Sequence, residues 1–439
     1  MTRHLLRLLP CVCVLLAVAV PAYADAGGEH ADPIAAVVLY LAVILLAAKL
    51  GGDLATRIGQ PAVLGELVAG VLLGNLSLMG VLAAEPIKTD ATIDMLSRLG
   101  VIILLFEVGL ESTVAQMMKV GLSSFVVATV GVIAPFALGW AASSMLLPHA
   151  SVYVHVYLGA TLTATSVGIT ARVLQDLKRS QSQEARIILG AAVIDDVMGL
   201  VVLAVVIGVL AAADSGGSLS YVDVSLILVK AVVFLVGSLL LGLRVSPRLF
   251  ALASKLRARG VLLAVGLSFC FGLAWLASKI GLAPIVGAFA AGLILEQVHY
   301  QDFTDRGEHG LEELVKPISS FLVPIFFVLM GMHTDLRSFT QPGVFGLAAA
   351  LTLCAIVGKQ ACFFGVIGKG VDRLTVGIGM IPRGEVGLIF ANIGMTLTVG
   401  GVAVVNHAAY SAVVVMVIVT TVVTPPALKW SFSRLPPSE

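Results

Sequence analysis

A chain of 439 residues would ordinarily make about three soluble domains at ~150 residues each, yet 59% of it is hydrophobic and only 12% is Asp, Glu, Lys or Arg. A soluble domain carries roughly 25% charged residues to wet its surface, so a water-soluble globular class is excluded. The formal net charge of +1 leaves no basic excess for a phosphate backbone, which excludes nucleic-acid binding.

Read in chain order, Arg3, His4 and Arg7 precede an apolar stretch from Leu8 to Val20, followed by Pro21-Ala22-Tyr23-Ala24. A basic start, a short apolar core and small residues at an Ala-x-Ala site describe a secretory signal peptide over residues 1–24, cut after Ala24. The alternative is an uncleaved signal-anchor helix. Beyond it, a helix crossing the hydrocarbon layer needs ~20 mostly apolar residues, because unpartnered backbone groups are costly in lipid. About thirteen segments meet that requirement: 33–52, 61–79, 96–112, 119–147, 152–174, 184–211, 221–243, 259–279, 281–298, 314–332, 341–367, 373–399 and 408–431.

Lys and Arg gather in alternate connections, with Arg172, Lys178, Arg179 and Arg186 in one and Arg244, Arg248, Lys255, Arg257 and Arg259 in another. The positive-inside rule makes these cytoplasmic, together with Lys429 and Arg434, and puts the mature amino terminus outside. A signal peptide would export the same terminus. The connections are short, the acidic one from Glu296 to Lys316 reads as a solvated linker, and no soluble catalytic, nucleotide-binding or regulatory domain is expected.

A charged side chain at mid-membrane is costly, so it lines a cavity or pairs with another. Asp195 and Asp196 lie near the middle of GAAVIDDVMGLVVLAVV, Lys359 midway along 341–367, Arg383 and Glu385 in 373–399, and Lys230 in 221–243. Adjacent helical residues point ~100° apart, so the two aspartates serve different partners. Lys359 is too deep to reach an interface, and Asp195 or Asp196 is its candidate partner. At ~4 Å and an effective dielectric near 20 such charges attract by ~4 kcal/mol, against several kcal/mol of desolvation per ion. A pair so close to balance can switch; a permanent structural bridge is the plainer alternative. Lys230 reads as interfacial.

The fifth and twelfth segments are poor continuous helices. Thr163-Ala164-Thr165-Ser166 precedes Gly168 and Thr170 in one, and Gly377, Gly379, Pro382, Gly384 and Gly387 interrupt the other. Proline removes a donor and clashes one turn back, so the backbone near residue 382 is expected to unwind. Transporters place such breaks at mid-membrane, where half-helix ends and freed carbonyls meet the ion. The two breaks correspond if helices one to six repeat as eight to thirteen, with the seventh as linker. Arg383 and Glu385 would then neutralise the facing half-helix dipoles. Neither the eight His nor the five Cys show metal-ligand or disulfide spacing, and no resident metal or cofactor is expected.

Six blocks now stand in order: RIGQPAVLGELVAGVLLG (57–74), TATSVGITARVLQDL (163–177), GAAVIDDVMGLVVLAVV (190–206), PIFFVLMGMHTDL (324–336), Gly358-Lys359 and GMIPRGEVGLIFANIG (379–394). With them the chain resembles the second monovalent cation:proton antiporter family, the sodium/proton exchanger-like group that includes NapA-type and Kef-type proteins. The resemblance covers nearly the whole mature chain. It implies an all-α polytopic membrane protein with about thirteen transmembrane helices in two inverted repeats and two crossed discontinuous helices, the NhaA/NapA-like fold. It implies a dimer-forming part at 33–112 and 259–332, a linker helix at 221–243, and an ion-transporting core at 119–211 and 341–432. Residue by residue, Asp196 matches the acid kept across the family and Asp195 the preceding position, which is Asp in electrogenic sodium exchangers. Lys359 matches the lysine that pairs with the first acid when the ion is away, and Thr163, Thr165 and Ser166 match the unwound stretch beside the site.

The function these readings imply is electrogenic Na+/H+ antiport by alternating access, with cation and proton competing at Asp195 and Asp196. The protein would be no enzyme and would act in a bacterial inner membrane as a lipid-embedded homodimer, without a cofactor and with Na+, Li+ or K+ and H+ as cargo. Many Kef relatives carry a nucleotide-binding regulator after the last helix, and none is expected in a chain that stops at Glu439. K+/H+ exchange is the rival within the class, and an ion channel or non-transporting sensor the rival outside it. An intramembrane aspartyl protease needs its aspartates on separate helices with a Gly-x-Gly-Asp context, which this sequence lacks.

Overall fold

The structure, a computed structural model, describes residues 33–111, 114–215, 221–256, 258–295, 309–334, 336–337, 344–368, 370–399 and 402–435. The predicted signal segment, Arg257 and residues 296–308 of the acidic connection lie outside them, as does the side chain of Glu385. The chain is helical almost throughout. In order come α1 (Pro33–Arg57), α2 (Ala62–Gly74), the short α3 (Glu85–Thr89), α4 (Ala91–Leu110), α5 (Val114–Leu146), α6 (Val152–Thr161), α7 (Val167–Asp176) and α8 (Gln183–Ser215). They are followed by α9 (Tyr221–Ala253), α10 (Val261–Lys279), α11 (Pro284–Ile294), α12 (Leu311–Met332), α13 (Val344–Gln360), α14 (Arg373–Gly379), α15 (Gly384–Thr396) and α16 (His407–Ser433). Six stretches of the described residues are long and apolar enough to cross a membrane: Ile34–Arg57, Met117–Leu146, Val261–Lys279, Leu311–Met332, Val344–Gly365 and His407–Ser433.

Polar residues mark where helices begin. Asp90 Oδ1 accepts from the backbone N–H of Thr92 and Ile93 at the start of α4. Asn406 Oδ1 accepts from Ala409 at the start of α16, and Asp372 Oδ1 from Leu374 and Thr375 at the start of α14. Three differences from the sequence reading stand out among shifts of a few residues at other helix ends. The helix predicted at 221–243 runs on to Ala253, because Ser246, Phe250 and Ala253 are buried against the protein and reward another three turns. The segment predicted at 341–367 stays α-helical only to Gln360 and tightens into a 3-10 turn over Ala361–Gly365. The all-α expectation gains one small exception, an antiparallel pair of two-residue strands, β1 (Thr398–Val399) and β2 (Val402–Ala403), in which Val399 faces Val402. β-Branched residues flanking Gly400-Gly401 favour a hairpin over another helical turn.

The chain divides into two compact units, Met1–Ile103 with Pro317–Leu336, and Leu104–Lys316 with Arg337–Glu439. In the first, α1 and α2 meet through backbone: a Cβ on Gly65 would lie 1.9 Å from the Gly51 carbonyl oxygen. Without a water-driven hydrophobic effect in lipid, such close small-residue packing is what holds helices together. Asn75, just after α2, donates to the Thr334 carbonyl at 2.7 Å and accepts from Leu336 N–H at 2.9 Å, fastening α2 to the chain beyond α12. In the second unit α5 packs along α8, α6 and α13, and α16 along α13 and α15. A cluster built on Tyr157, Leu158, Leu351, Phe390, Val413 and Met416 fills the space among them. This unit holds the charges at depth.

Candidate functional site

The two predicted breaks are present. Between α6 and α7 residues 162–166 are non-helical, and between α14 and α15 residues 380–383 are. In the first, Thr163, Thr165 and Ser166 carry hydroxyls that compete for backbone hydrogen bonds, and Thr163 Oγ1 donates to the Ala160 carbonyl at 2.8 Å. In the second, Pro382 has no N–H to give and Gly384 has φ +47°, a left-handed conformation that a residue with a Cβ adopts at a cost. The breaks satisfy each other: Ser166 N–H donates to the Pro382 carbonyl at 2.8 Å, and Thr170 Oγ1 to the Gly379 carbonyl at 2.7 Å. The crossing is tight, since a Cβ on Gly384 would stand 2.5 Å from Ser166 Oγ.

Two buried cations lie beside this crossing. Lys359, in the last turn of α13, donates from Nζ to Asp195 Oδ1 of α8 at 3.2 Å, with side-chain exposures of 0% and 1%. α5 can pass them because residue 131 is glycine; a Cβ there would lie 3.2 Å from Lys359 Nζ. Arg383, also fully buried, extends from the second break to two carbonyls: Nη1 to Ala164 in the first break at 3.0 Å, and Nη2 to Ala355 of α13 at 3.3 Å. Ala355 stands one helical turn before Lys359, so one guanidinium joins both breaks to the lysine's helix. A rigid fork of donors suits that task better than an ammonium would.

The aspartates differ as their neighbouring helical positions require: Asp195 is buried against Lys359, whereas Asp196 is partly buried. Thr163, Thr165 and Ser166 are all buried. Asp195 Oδ2 and Thr165 Oγ1 are enclosed without a hydrogen-bond partner among the described residues. Enclosed oxygens with lone pairs to spare are what a hard monovalent cation takes in exchange for its hydration shell. Lys230 of α9 is exposed, away from this cluster of buried charge.

Sequence reasoning assigned Arg383 to half-helix dipoles and did not foresee its two carbonyl partners, Ala164 and Ala355; a freed carbonyl has no side-chain signature. It also passed over Gly131, whose only message is an absent side chain. Asp372 was missed as well. Besides capping α14 it accepts from Arg434 Nη2 at 3.2 Å, its own N–H donates to Glu184 Oε1 at 3.0 Å, and the Thr375 and Ser431 hydroxyls bond beside it. These contacts fasten the far end of α14 to α16 and α8, and the DR pair at Asp372-Arg373 before an apolar run was the available capping signal.

Residues 42–434 match the family model described as sodium/hydrogen exchanger, transmembrane. The chain is 38% identical over 434 residues to the high-affinity Na(+)/H(+) antiporter NhaS3 of Synechocystis sp. (strain ATCC 27184 / PCC 6803 / Kazusa), covering 91% of this chain and 90% of that one. It is 35% identical over 398 residues to the Na(+)/H(+)-K(+) antiporter GerN of Bacillus cereus, covering 89% and 95% respectively. The solved structure of the sodium proton antiporter MjNhaP1 from Methanocaldococcus jannaschii at pH 8 superposes with a TM-score of 0.60 at 16% identity, over 91% of this chain and 97% of that one. The helical transporter fold is therefore shared.

Proposed function

This chain belongs to the transmembrane sodium/hydrogen exchanger family and is an integral membrane protein; from that premise we propose that it exchanges a monovalent cation, sodium, for protons across a bacterial inner membrane. The observation that carries the reading is the fully buried Lys359 to Asp195 pair beside two interlocked helix breaks. Such a pair is near energetic balance, and a cation that takes Asp195 from Lys359 tips it.

The charges can be followed through the exchange. With protons loaded, Asp196 is neutral and Asp195 pairs with charged Lys359. A sodium ion arriving from one side takes the proton's place on Asp196 and draws Asp195 from Lys359, which releases its own proton. Thr163, Thr165 and Ser166 supply neutral oxygens around it. Two protons leave for one sodium, so net charge crosses the membrane and the potential contributes ~2.3 kcal/mol per charge per 100 mV. Cation and protons cannot hold the carboxylates together, and that exclusion couples the flows. Arg383 keeps its carbonyl partners throughout and holds the crossing in register, with Glu385 as the countercharge on the same half-helix.

The same reading gives about thirteen crossings, with α6/α7 and α14/α15 each counted as one and α3 left out, in two inverted repeats about α9. Residues 33–112 and 259–332 form the dimer-making part, 119–211 and 341–432 the ion-carrying part, and the mature amino terminus lies outside with the carboxyl end in the cytoplasm. Residues 1–24 are a cleaved signal peptide, and retention of Met1 in the mass of the purified protein rejects that claim.

The test is collapse of a proton gradient in inside-out vesicles on adding sodium, lithium or potassium, with Asp196→Asn as the control. An equal response in the control removes Asp196 from the mechanism. Indifference of reconstituted transport to an imposed voltage rejects the two-for-one stoichiometry. Potassium exchange is the second reading, favoured by the likeness to GerN, whose name carries both cations; a response to potassium alone would replace sodium.

A further inference from the structure

The last turns of α9 present three distinct faces. Ser246, Phe250, Ala253 and Ser254 are buried in the protein. Arg244, Arg248 and Lys255 are exposed at positions i, i+4 and i+11, one stripe at helical spacing, and Arg259 is exposed in the turn that leads to α10. Val245, Leu252 and Leu256 are exposed one position further round, flanking the basic stripe. The stripe continues past the end of α9 because Ser254 N–H still donates to the Phe250 carbonyl at 2.8 Å and Lys255 N–H to Leu252 at 3.2 Å.

These cations differ from three other exposed arginines. Arg57, Arg98 and Arg434 each pair with a carboxylate, Asp53, Asp94 and Asp372. No Asp or Glu occurs in the sequence between Asp223 and Glu296, and none of the four cations has a carboxylate partner among the described residues. Positive charge is collected here with no carboxylate of the described residues paired to it.

The 33 residues of α9 span about 50 Å, against about 30 Å of hydrocarbon. With 221–243 taken as the crossing, Arg244 stands roughly 35 Å along from Tyr221, at the level where such a helix would pass from hydrocarbon to headgroup layer. Exposed Leu240 lies just on the apolar side of that boundary. Basic and apolar side chains in one exposed strip at this level match a molecule that is anionic at one end and hydrocarbon at the other. A soluble acidic partner would answer the charges and leave the leucines uncovered.

We propose that this end of α9 is a docking site for an anionic phospholipid, with its phosphate on Arg244, Arg248 and Lys255 and its acyl chains along Leu240, Val245 and Leu252. Arginine forks bind phosphate through paired charge-assisted hydrogen bonds, and the aliphatic stems of all three cations lie against the chains. The site does not depend on which cation the protein exchanges.

The experiment uses the full chain in detergent, read by thermal melting and by native mass spectrometry of retained lipid. Phosphatidylglycerol, phosphatidylcholine and inorganic phosphate are added in separate arms. The variants are the triple substitution Arg244→Gln, Arg248→Gln, Lys255→Gln and, as control, the pair Arg57→Gln, Arg98→Gln. Phosphatidylglycerol is expected to raise the melting temperature and remain bound in the wild type and the control. At about fivefold per cation, the triple variant should bind it about a hundredfold more weakly and lose the shift. Equal binding by the triple variant overturns the proposal, and so does an equal shift from phosphatidylcholine or from inorganic phosphate. Should the triple variant not fold, Arg248→Gln alone should weaken binding about fivefold, and unchanged binding there overturns it equally.

Discussion

The two helix breaks solve the same problem with different chemistry. The break at 162–166 has no proline and no charge; it is rich in hydroxyls and offers the free carbonyl of Ala164. The break at 380–383 has lost a donor to Pro382 and regains donors from the Arg383 guanidinium. The exchange runs both ways: Ser166 N–H donates to the Pro382 carbonyl and the Arg383 guanidinium to the Ala164 carbonyl, so each break completes its neighbour. Unwound backbone is tolerated at membrane depth only where protein or water satisfies it, and here protein does so. The charge belongs to the break that lacks hydroxyls, and the hydroxyls to the break that lacks charge.

The sharpest way to break this complementarity is Arg383→Met. It should orphan the Ala164 carbonyl, lower stability by about 2–5 kcal/mol and abolish exchange, as read by melting in detergent and by vesicle assay. A melting midpoint unchanged from wild type would mean that the guanidinium is dispensable to the crossing. Next in size is Gly384→Ala, which combines a positive φ with a methyl 2.5 Å from Ser166 Oγ and should cost about 1–3 kcal/mol. Adding Ser166→Gly should recover part of that loss by relieving the contact while the backbone strain remains; strict additivity of the two would argue against the clash.

A third comparison separates structure from ion binding within the first broken helix. Thr170→Val removes a bond to the Gly379 carbonyl and should cost about 1 kcal/mol with an unchanged KM for sodium. Thr165→Val removes an oxygen that has no hydrogen-bond partner among the described residues. It should leave stability within about 0.5 kcal/mol and raise the KM for sodium about fivefold. Identical behaviour of the two variants would take Thr165 out of the cation site. The smallest effects are expected at the far end of α14. Asp372→Ala should cost about 1 kcal/mol through the lost cap, whereas Asp372→Asn, which still caps, should cost a few tenths. An equal loss in both would transfer the role from the cap to the half-exposed bridge with Arg434, which ordinarily contributes little.

Much of the fold was legible because lipid imposes simple rules. Long apolar runs predicted the helices, Pro382 among glycines predicted one break, and the Thr163 to Ser166 cluster predicted the other. Helix ends were read less well where packing decided them. Nothing in the composition of residues 244–253 separates helix from loop, and burial of Phe250 and Ser246 extends α9 through them. The first strand of the hairpin, Thr398–Val399, lay at the end of the segment read as helix 373–399, since a short run of β-branched residues fits either pattern.

The sequence by itself determined which residues carry charge at depth, because desolvation makes any such residue rare and its position in an apolar run shows how deep it lies. Asp195, Asp196, Lys359 and Arg383 were all on that short list. Which of them meet was decided only by tertiary structure. Lys359 meets Asp195 across 164 positions of sequence, and Arg383 meets Ala164 across 219. Periodicity orders residues along one helix and is silent about how two helices are rotated against each other. For adjacent aspartates ~100° apart, that rotation alone decides which one takes the lysine and which one faces away from it.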